Sequence, residues 1–447
     1  MRRILSQSIL GGVAYSTATG FPCSALMAFP ANRGIHYGKT IRKQQQAPLT
    51  RDSPRYRNLA VRSSSFHTDR HDGEPSRNNL VDPTDDDNDD KNASFATSYH
   101  APVMWKECVD ALMECDRSQR RKNNDGYDGE PLIFVDGTLG GGGHSAALLQ
   151  TLQPGDVVFG CDVDSDALET ASHRLNAFMV SDDEVNTPQQ HPLFLPVQSN
   201  FCDLAKVLPS IRHPQTKELI LQNGKGVDGI LLDLGVSSHQ IDTPERGFAF
   251  MKDGPLDMRM GSSGSLTASD ICNHFDPAEI QRILSFYGDE PRAKTIAKAI
   301  VNHRPLNTTK ELVDAISSVT PQFSRKSKRQ GLTATCARVF QSLRIVVNKE
   351  DDVLEKALNE MCPALIRPGG RLVVLSYHSM EDRATKRIMR DGTLEKVKEE
   401  RDMYGNYLGA PKPFLPVGKR QKARPEEVEA NPRARSATLR VATRLKS

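Results

Sequence analysis

Between residues 130 and 235 short continuous apolar runs alternate with stretches of helical periodicity. Leu132-Ile-Phe-Val135, Val157-Val-Phe-Gly-Cys161, Leu193–Val197 and Val227-Asp-Gly-Ile-Leu-Leu-Asp233 read as four strands buried on both faces. Helical patterns at Ala146–Leu152, Asp166–Phe178 and from Asp203 to Leu208 separate them, as βαβ crossovers require. The alternation then stops. Asp270–Phe286, Pro291–His303 and Thr309–Val319 are helical in period, and Thr308-Thr-Lys-Glu311 reads as a capping box. Afterwards the pattern predicts a helix over Ala337–Leu365 and strands at Arg371–Leu375 and Thr438–Ala442. The polar stretch 116–130 reads as a loop or small expansion, and Val103–Met113 as an apolar-periodic entry into the fold.

This is the pattern of an α/β fold: a doubly wound, mostly parallel sheet with a helical insertion between the fourth and fifth strands. The expected organisation is a first core segment at 99–243, the insertion at 244–335 and a second core segment with a basic tail at 336–447.

Charge distribution adds two segments before the core. Residues 1–51 contain no Asp or Glu but seven Lys or Arg, the composition of an organelle transit peptide, with a disordered basic tail as the plainer alternative. Residues 52–98 end in the acidic run Asp82–Asp90 and read as a linker. The apolar patch Ile9–Phe29 is interrupted by Gly, Ser, Thr and Pro, too weakly apolar to span a bilayer. The eight cysteines show no CxxC pair and no zinc-ligand spacing, which fits a reducing compartment and argues against a disulfide framework. A mitochondrial matrix is the expected location, with a plastid stroma as the alternative. The overall charge of +3 says nothing about nucleic acid by itself.

Candidate chemistry gathers where strands end. The first strand runs into Asp136-Gly-Thr-Leu-Gly-Gly-Gly-Gly-His144, and glycines there permit close backbone approach to a ligand at a helix N-terminus. The dinucleotide fingerprint GxGxxG does not fit, because Ser145 stands where its last glycine would fall counting from Gly140. Asp162 ends the second strand and is placed to accept hydrogen bonds from ribose hydroxyls; Asp164 competes for that role, and either is equally a helix N-cap. Phe201 is a candidate for an adenine face or for ordinary core. Asp233 ends the fourth strand, with Ser237, Ser238 and Gln240 behind it, where ligands of open α/β sheets bind.

Taken together, several ordered motifs resemble the bacterial-type small-subunit ribosomal RNA cytosine-N4 methyltransferases. They are His100-Ala-Pro-Val-Met104, Val135–Ser145, Asp228–Ser238, Arg246-Gly-Phe-Ala-Phe250, Gly254–Met260, Phe340–Asn348, Ser376-Tyr-His-Ser-Met-Glu-Asp-Arg383 and Asn431–Val441. The resemblance implies a class I, Rossmann-like methyltransferase core, S-adenosyl-L-methionine as cofactor, and a substrate-recognition insert. By position it places cofactor contacts on Gly142, Gly143, His144, Asp162, Phe201, Asp233 and Gln240, favouring Asp162 over Asp164. Asp233, His378 and Ser379 are the candidate catalytic groups, with Asp382 beside them; no metal is implied. The partners implied are small-subunit ribosomal RNA or the assembling subunit, with no membrane and with a homodimer among the expectations. Arg325-Lys-Ser-Lys-Arg329 and the tail cations Lys419, Arg420, Lys422, Arg424, Arg433 and Arg435 are candidates for RNA phosphates, although such runs are usually solvated surface.

Two departures from the family pattern stand out: His239 where proline is usual, and Ala334-Thr-Cys-Ala337 where His-Pro-Ala-Thr is usual. Two other readings stay open on sequence grounds, a nicotinamide-dependent oxidoreductase, disfavoured by the loop spacing, and a ribosome-assembly factor that binds RNA and cofactor without turnover.

Overall fold

The computed structural model describes residues 102–179, 191–261, 264–322, 331–394, 402–404 and 411–446. The segments read as transit peptide and linker, and the basic run Arg325–Arg329, lie outside the described residues.

The described residues hold seven strands: β1 (Ile133–Asp136), β2 (Val157–Asp162), β3 (Leu193–Gln198), β4 (Val227–Asp233), β5 (Ile366–Ser376), β6 (Phe414–Gln421) and β7 (Thr438–Arg444). They form one sheet in the order β3-β2-β1-β4-β5-β7-β6. Strands β1 to β5 run parallel, while β7 is antiparallel to both β5 and β6. The order reverses between β1 and β4, which opens a crevice beyond their carboxyl ends.

Side chains alternate across the sheet as a two-residue period demands. Phe134, Leu231, Val373 and Leu375 enter one apolar layer, and Ile133, Val135, Ile230, Leu232, Leu372 and Val374 the other. Each such side chain withdrawn from water contributes roughly 1.5–3 kcal/mol, so register here is strongly determined. Strand β6 escaped the sequence pattern because it is an edge strand in which only Phe414 is buried; an element with little to bury carries little apolar signal.

The amino-terminal helix α1 (Trp105–Met113) packs Val109 and Leu112 into the first layer. The stretch after it, read from sequence as a loop or small expansion, opens with a helix, α2 (Asp116–Asn123). Its sequence has no apolar stripe and buries only Ser118. Ion pairs made in the folded state hold it. Arg117 donates to both oxygens of Asp228 at 3.1 and 2.9 Å, and Arg121 to both oxygens of Asp156 at 2.7 Å. Those carboxylates in turn accept the backbone N–H groups of Ile133 and Leu132, each at 2.8 Å. The polar helix thus fastens the amino end of β1, which local periodicity cannot reveal.

Helices α3 (Gly143–Leu149) and α4 (Ser165–Arg174) follow β1 and β2, and the short α5 (Ser238–Asp242) follows β4. Between β4 and β5 come α6 (Ala268–His274), α7 (Pro277–Gly288), α8 (Ala293–Asn302), α9 (Thr309–Ser317) and α10 (Leu332–Asn348). The single helix expected over 270–286 is two. The break falls at Asp276, which caps α7 reciprocally with Glu279, and Pro277 occupies the first helical position. Thr308 and Glu311 form the expected capping box of α9.

The insertion has its own apolar cluster, built around Ile271, Ile280, Leu284, Ile296, Ile300, Leu312 and Ile316. Helix α10, assigned from sequence to the second core segment, contributes Cys336, Val339, Phe340, Leu343 and Val347 to this cluster. Spaced at three and four residues, these form one stripe facing the insertion's helices, so the insertion's packing unit extends to Val347. The long helix expected to continue to Leu365 ends instead at Asn348, because Lys349 adopts a left-handed conformation (φ 51°) before α11 (Glu350–Lys356) begins. Helix α12 (Ser379–Asp391) then follows β5. Among the described residues no helix is long and apolar enough to cross a membrane.

Candidate cofactor and substrate site

The site is built from the ends of β1, β2, β4 and β5. At the end of β1 the chain turns through Gly140 and Gly142, with φ of +49° and +72°. Only glycine adopts such angles freely. A Cβ on Gly142 would also meet Ala171 at 3.1 Å and Leu175 at 3.2 Å, and one on Gly143 would press on Pro102 at 2.9 Å. Backbone packing against α4 and the Pro102 segment therefore shapes the turn. Arg174 adds a hydrogen bond to the Gly141 carbonyl at 3.2 Å.

Asp162 and Asp164 separate clearly. Asp162 accepts the Gly140 N–H at 2.9 Å through one oxygen and the Asp164 N–H at 3.0 Å through the other. Each oxygen keeps a lone pair, which is the acceptor set two vicinal hydroxyls need. Asp164 instead caps α4 through the Asp166 N–H at 3.2 Å and pairs with Arg246 at 2.7 Å. Gln240 is buried. Its carbonyl accepts the Ser237 N–H at 3.0 Å in the capping box of α5, and its amide donates to Asp164 at 3.4 Å. Both ends of that side chain are thus engaged inside the protein. Phe201 lies in the turn after β3, with its Cβ 3.3 Å from the place a Cβ on Gly137 would take.

Asp233 is the point where the elements meet. The Gly137 N–H bonds the Leu231 carbonyl at 2.9 Å, and the Asp233 N–H donates to Thr138 Oγ1 at 2.6 Å, so the turns after β1 and β4 are stitched together. Its carboxylate accepts the Tyr377 hydroxyl at 2.8 Å, and its other oxygen lies 3.7 Å from His144 Nδ1. His144 Nε2 donates to the Val103 carbonyl at 2.9 Å. A carbonyl only accepts, so that bond puts a hydrogen on Nε2 and turns Nδ1 toward Asp233. Burial pushes the Asp233 carboxyl up to about 6, although His144 and the Tyr377 hydroxyl pull it down. Burial likewise raises Asp136 and Asp162. Asp136 accepts the Ser145 hydroxyl at 2.7 Å, a loop-shaping contact.

The other expected catalytic groups are held differently. His378 Nε2 lies 2.8 Å from Glu381 Oε1, and Ser379 is exposed at the first residue of α12. Asp382 is paired with Arg440 through both oxygens at 2.7 and 3.1 Å. The group at the end of β5 that reaches Asp233 is Tyr377, which sequence reasoning passed over although it stands within the Ser376–Arg383 motif. Its signal was its position directly after the strand. Glu350, His378 and Glu381 offer ligand atoms within 4.8 Å of one another, but Glu350 is bonded to Arg344 through both oxygens at 2.7 Å.

The two departures from the family pattern fall in tolerant and intolerant places. His239 is the second residue of α5, where the N–H has no partner within the helix, so proline and histidine are both accommodated. Thr335 and Cys336 are buried within the insertion, and Thr335 Oγ1 accepts Arg292 at 3.0 Å.

A mostly parallel sheet whose first turn is a glycine cradle, with acids at the ends of β2 and β4, fits a class I S-adenosylmethionine-dependent methyltransferase. The residues fit that cofactor: the cradle admits backbone contact and Asp162 retains acceptors. Comparison with known proteins narrows the class. The model of the MraW methylase family matches residues 97–445. The chain is 39 % identical over 364 residues to ribosomal RNA small subunit methyltransferase H of Chlorobium luteolum, covering 77 % of this chain and 96 % of that protein. The protein of that name from Geobacter sulfurreducens is 40 % identical over 355 residues, covering 78 % and 100 %. That from Cytophaga hutchinsonii is 39 % identical over 349 residues, covering 77 % and 99 %. The chain belongs to the MraW methylase family.

Proposed function

We propose that this chain methylates the exocyclic N4 of a cytosine in the small-subunit ribosomal RNA of an organelle, using S-adenosylmethionine. The relatives' names support the RNA class, and the motif resemblance supports the cytosine amino group. The observation that carries the chemistry is the placement of Asp233, bonded to Tyr377 and facing His144 at the crevice.

The sulfonium of the cofactor supplies an electrophilic methyl group. The cytosine amino nitrogen is a weak nucleophile because its lone pair is conjugated with the ring. Asp233 is the acceptor for an N4–H, which draws that nitrogen toward tetrahedral geometry and holds it in line. Once the nitrogen carries positive charge, a carboxylate titrating near 6 is suited to receive its proton. Tyr377 fixes the carboxylate's orientation, and Thr138 fixes its backbone. A base edited at its edge must be unstacked, and the insertion is the element proposed to hold the surrounding RNA.

Nucleoside mass spectrometry of organellar small-subunit ribosomal RNA tests this reading. N4-methylcytidine should vanish without the protein and return with the wild-type chain but not with Asp233→Asn. Persistence of the modified base in the protein's absence would overturn the activity and favour a non-catalytic assembly role. The mitochondrial matrix is the proposed compartment, on the acid-free composition of residues 1–51; fusing that segment to a fluorescent reporter separates matrix from plastid stroma.

A further inference from the structure

Strand β6 is the outer edge of the sheet, and it departs from regular pairing at one place. Val417 pairs with Val441 and Gln421 with Leu439, so four steps on β6 answer two on β7. The extra residues form a bulge opened by Gly418 at φ +65°. It projects Lys419 and Arg420, both exposed. The register also says where this bulge lies. Thr438 pairs with Ser376, the last residue of β5, and Leu439 pairs with Gln421. The bulge therefore stands at the carboxyl end of β5, the end on which the crevice opens.

Bonds run from the site to this edge. Arg433 bonds Ser238 and lies 3.3 Å from Asp242, both on α5 behind Asp233. It belongs to the turn Pro432–Ser436, whose Ser436 carbonyl accepts Lys422 Nζ at 3.1 Å. Lys422 and Arg433 are therefore engaged internally. Lys419 and Arg435 are exposed, and neither has an ion-pair partner among the described residues. Among the described residues Arg420 reaches only Asp382, at 4.0 Å, and that carboxylate is already bonded to Arg440 through both oxygens. The exposed acids Glu426 and Glu429 sit on the next helix, α13 (Pro425–Ala430), so the positive surface follows the bulge and the turn.

Resting on the ribosomal RNA reading above, we propose that Lys419, Arg420 and Arg435 form the track for the phosphate backbone of the RNA strand whose base enters the crevice. Lysines and bulges on an edge strand also prevent two sheets from pairing. That role alone does not call for the cations to gather at the end of the sheet where the site opens, nor for the arginine on the adjoining turn.

Binding of a fluorescein-labelled single-stranded RNA of 20 mixed-sequence nucleotides, followed by anisotropy across a salt series, tests the proposal. In Lys419→Glu/Arg420→Glu/Arg435→Glu, affinity at low salt should fall at least about tenfold, and the log–log salt slope should flatten by about 2, near 0.7 for each phosphate no longer neutralised. The glutamine triple variant should flatten the slope equally, which separates lost attraction from added repulsion. Calorimetric titration with S-adenosylmethionine and the melting temperature should match wild type, showing an intact fold. A wild-type slope in the glutamine variant would overturn the track, as would aggregation with RNA affinity intact, which would assign the bulge to edge protection. Failure of the wild-type chain itself to bind RNA would instead overturn the RNA reading on which the track rests.

Discussion

Buried or half-buried aspartates stand at both ends of the parallel sheet, and their surroundings differ. At the amino ends, Asp156 and Asp228 are 1 % exposed and face guanidinium groups: Arg121 for the first, Arg117 and Arg367 for the second. Both also accept a backbone N–H at the entry to β1, from Leu132 and Ile133 respectively. At the carboxyl ends, Asp136, Asp162 and Asp233 are held by hydroxyls, amides and one imidazole, with no arginine or lysine bonded to them among the described residues. Burial raises Asp228 as well, but two guanidiniums oppose it. A buried acid answered by arginine is held as a charged part of the scaffold that cannot lose its partner cheaply; one left with weaker donors keeps capacity to bind hydroxyls or take a proton. The contrast separates scaffold from site without reference to any relative.

The sharpest way to break the comparison is Asp233→Asn, which keeps the shape and removes the acceptor's charge. Methyl transfer to ribosomal RNA, followed by incorporation of labelled methyl groups, should fall by about a thousandfold or more; a loss under tenfold would remove Asp233 from the chemistry. At the opposite end, Arg117→Ala should lower unfolding free energy by about 3–5 kcal/mol, because Asp228 keeps its charge and loses a partner. Denaturant titration measures this, and specific activity per folded molecule should stay at the wild-type level.

A third measurement probes the carboxyl end through pH. With the Asp233 carboxyl at about 6 folded and near 3.8 unfolded, the folded state holds more protons between those values. Stability therefore falls as pH rises through that window and stays lower above it. Asp233→Asn should be more stable than wild type at pH 7, by up to about 3 kcal/mol, and the gain should disappear below pH 4. A gain that persists in acid would contradict the raised value. In Tyr377→Phe the lost hydroxyl no longer favours the charged form, so the acid limb of the transfer rate should move up by about one pH unit. Smallest is Gly142→Ala, where a left-handed φ and contacts with Ala171 and Leu175 should weaken S-adenosylmethionine binding about tenfold by calorimetry.

The pattern of apolar runs specified the five parallel strands and the last strand, because strands covered on two faces are continuously apolar; β3, expected to be buried on both faces, is instead an edge strand with Pro196 exposed, and its apolar run still marked it. Fixed offsets along the chain also made the glycine turn, Asp162 and Asp233 legible, since strand ends and the turns after them are local features. The polar helix α2 and the edge strand β6 were not legible, for one exists through ion pairs to distant carboxylates and the other buries almost nothing. Nor was the affiliation of α10, whose apolar stripe fits either neighbour until packing selects the insertion. Tyr377 became a site residue only when β5 was laid beside β4, 144 residues apart in the chain. Sequence alone determined which residues must be buried and where strands end; the tertiary structure decided which polar groups meet, because those meetings depend on strand order and register.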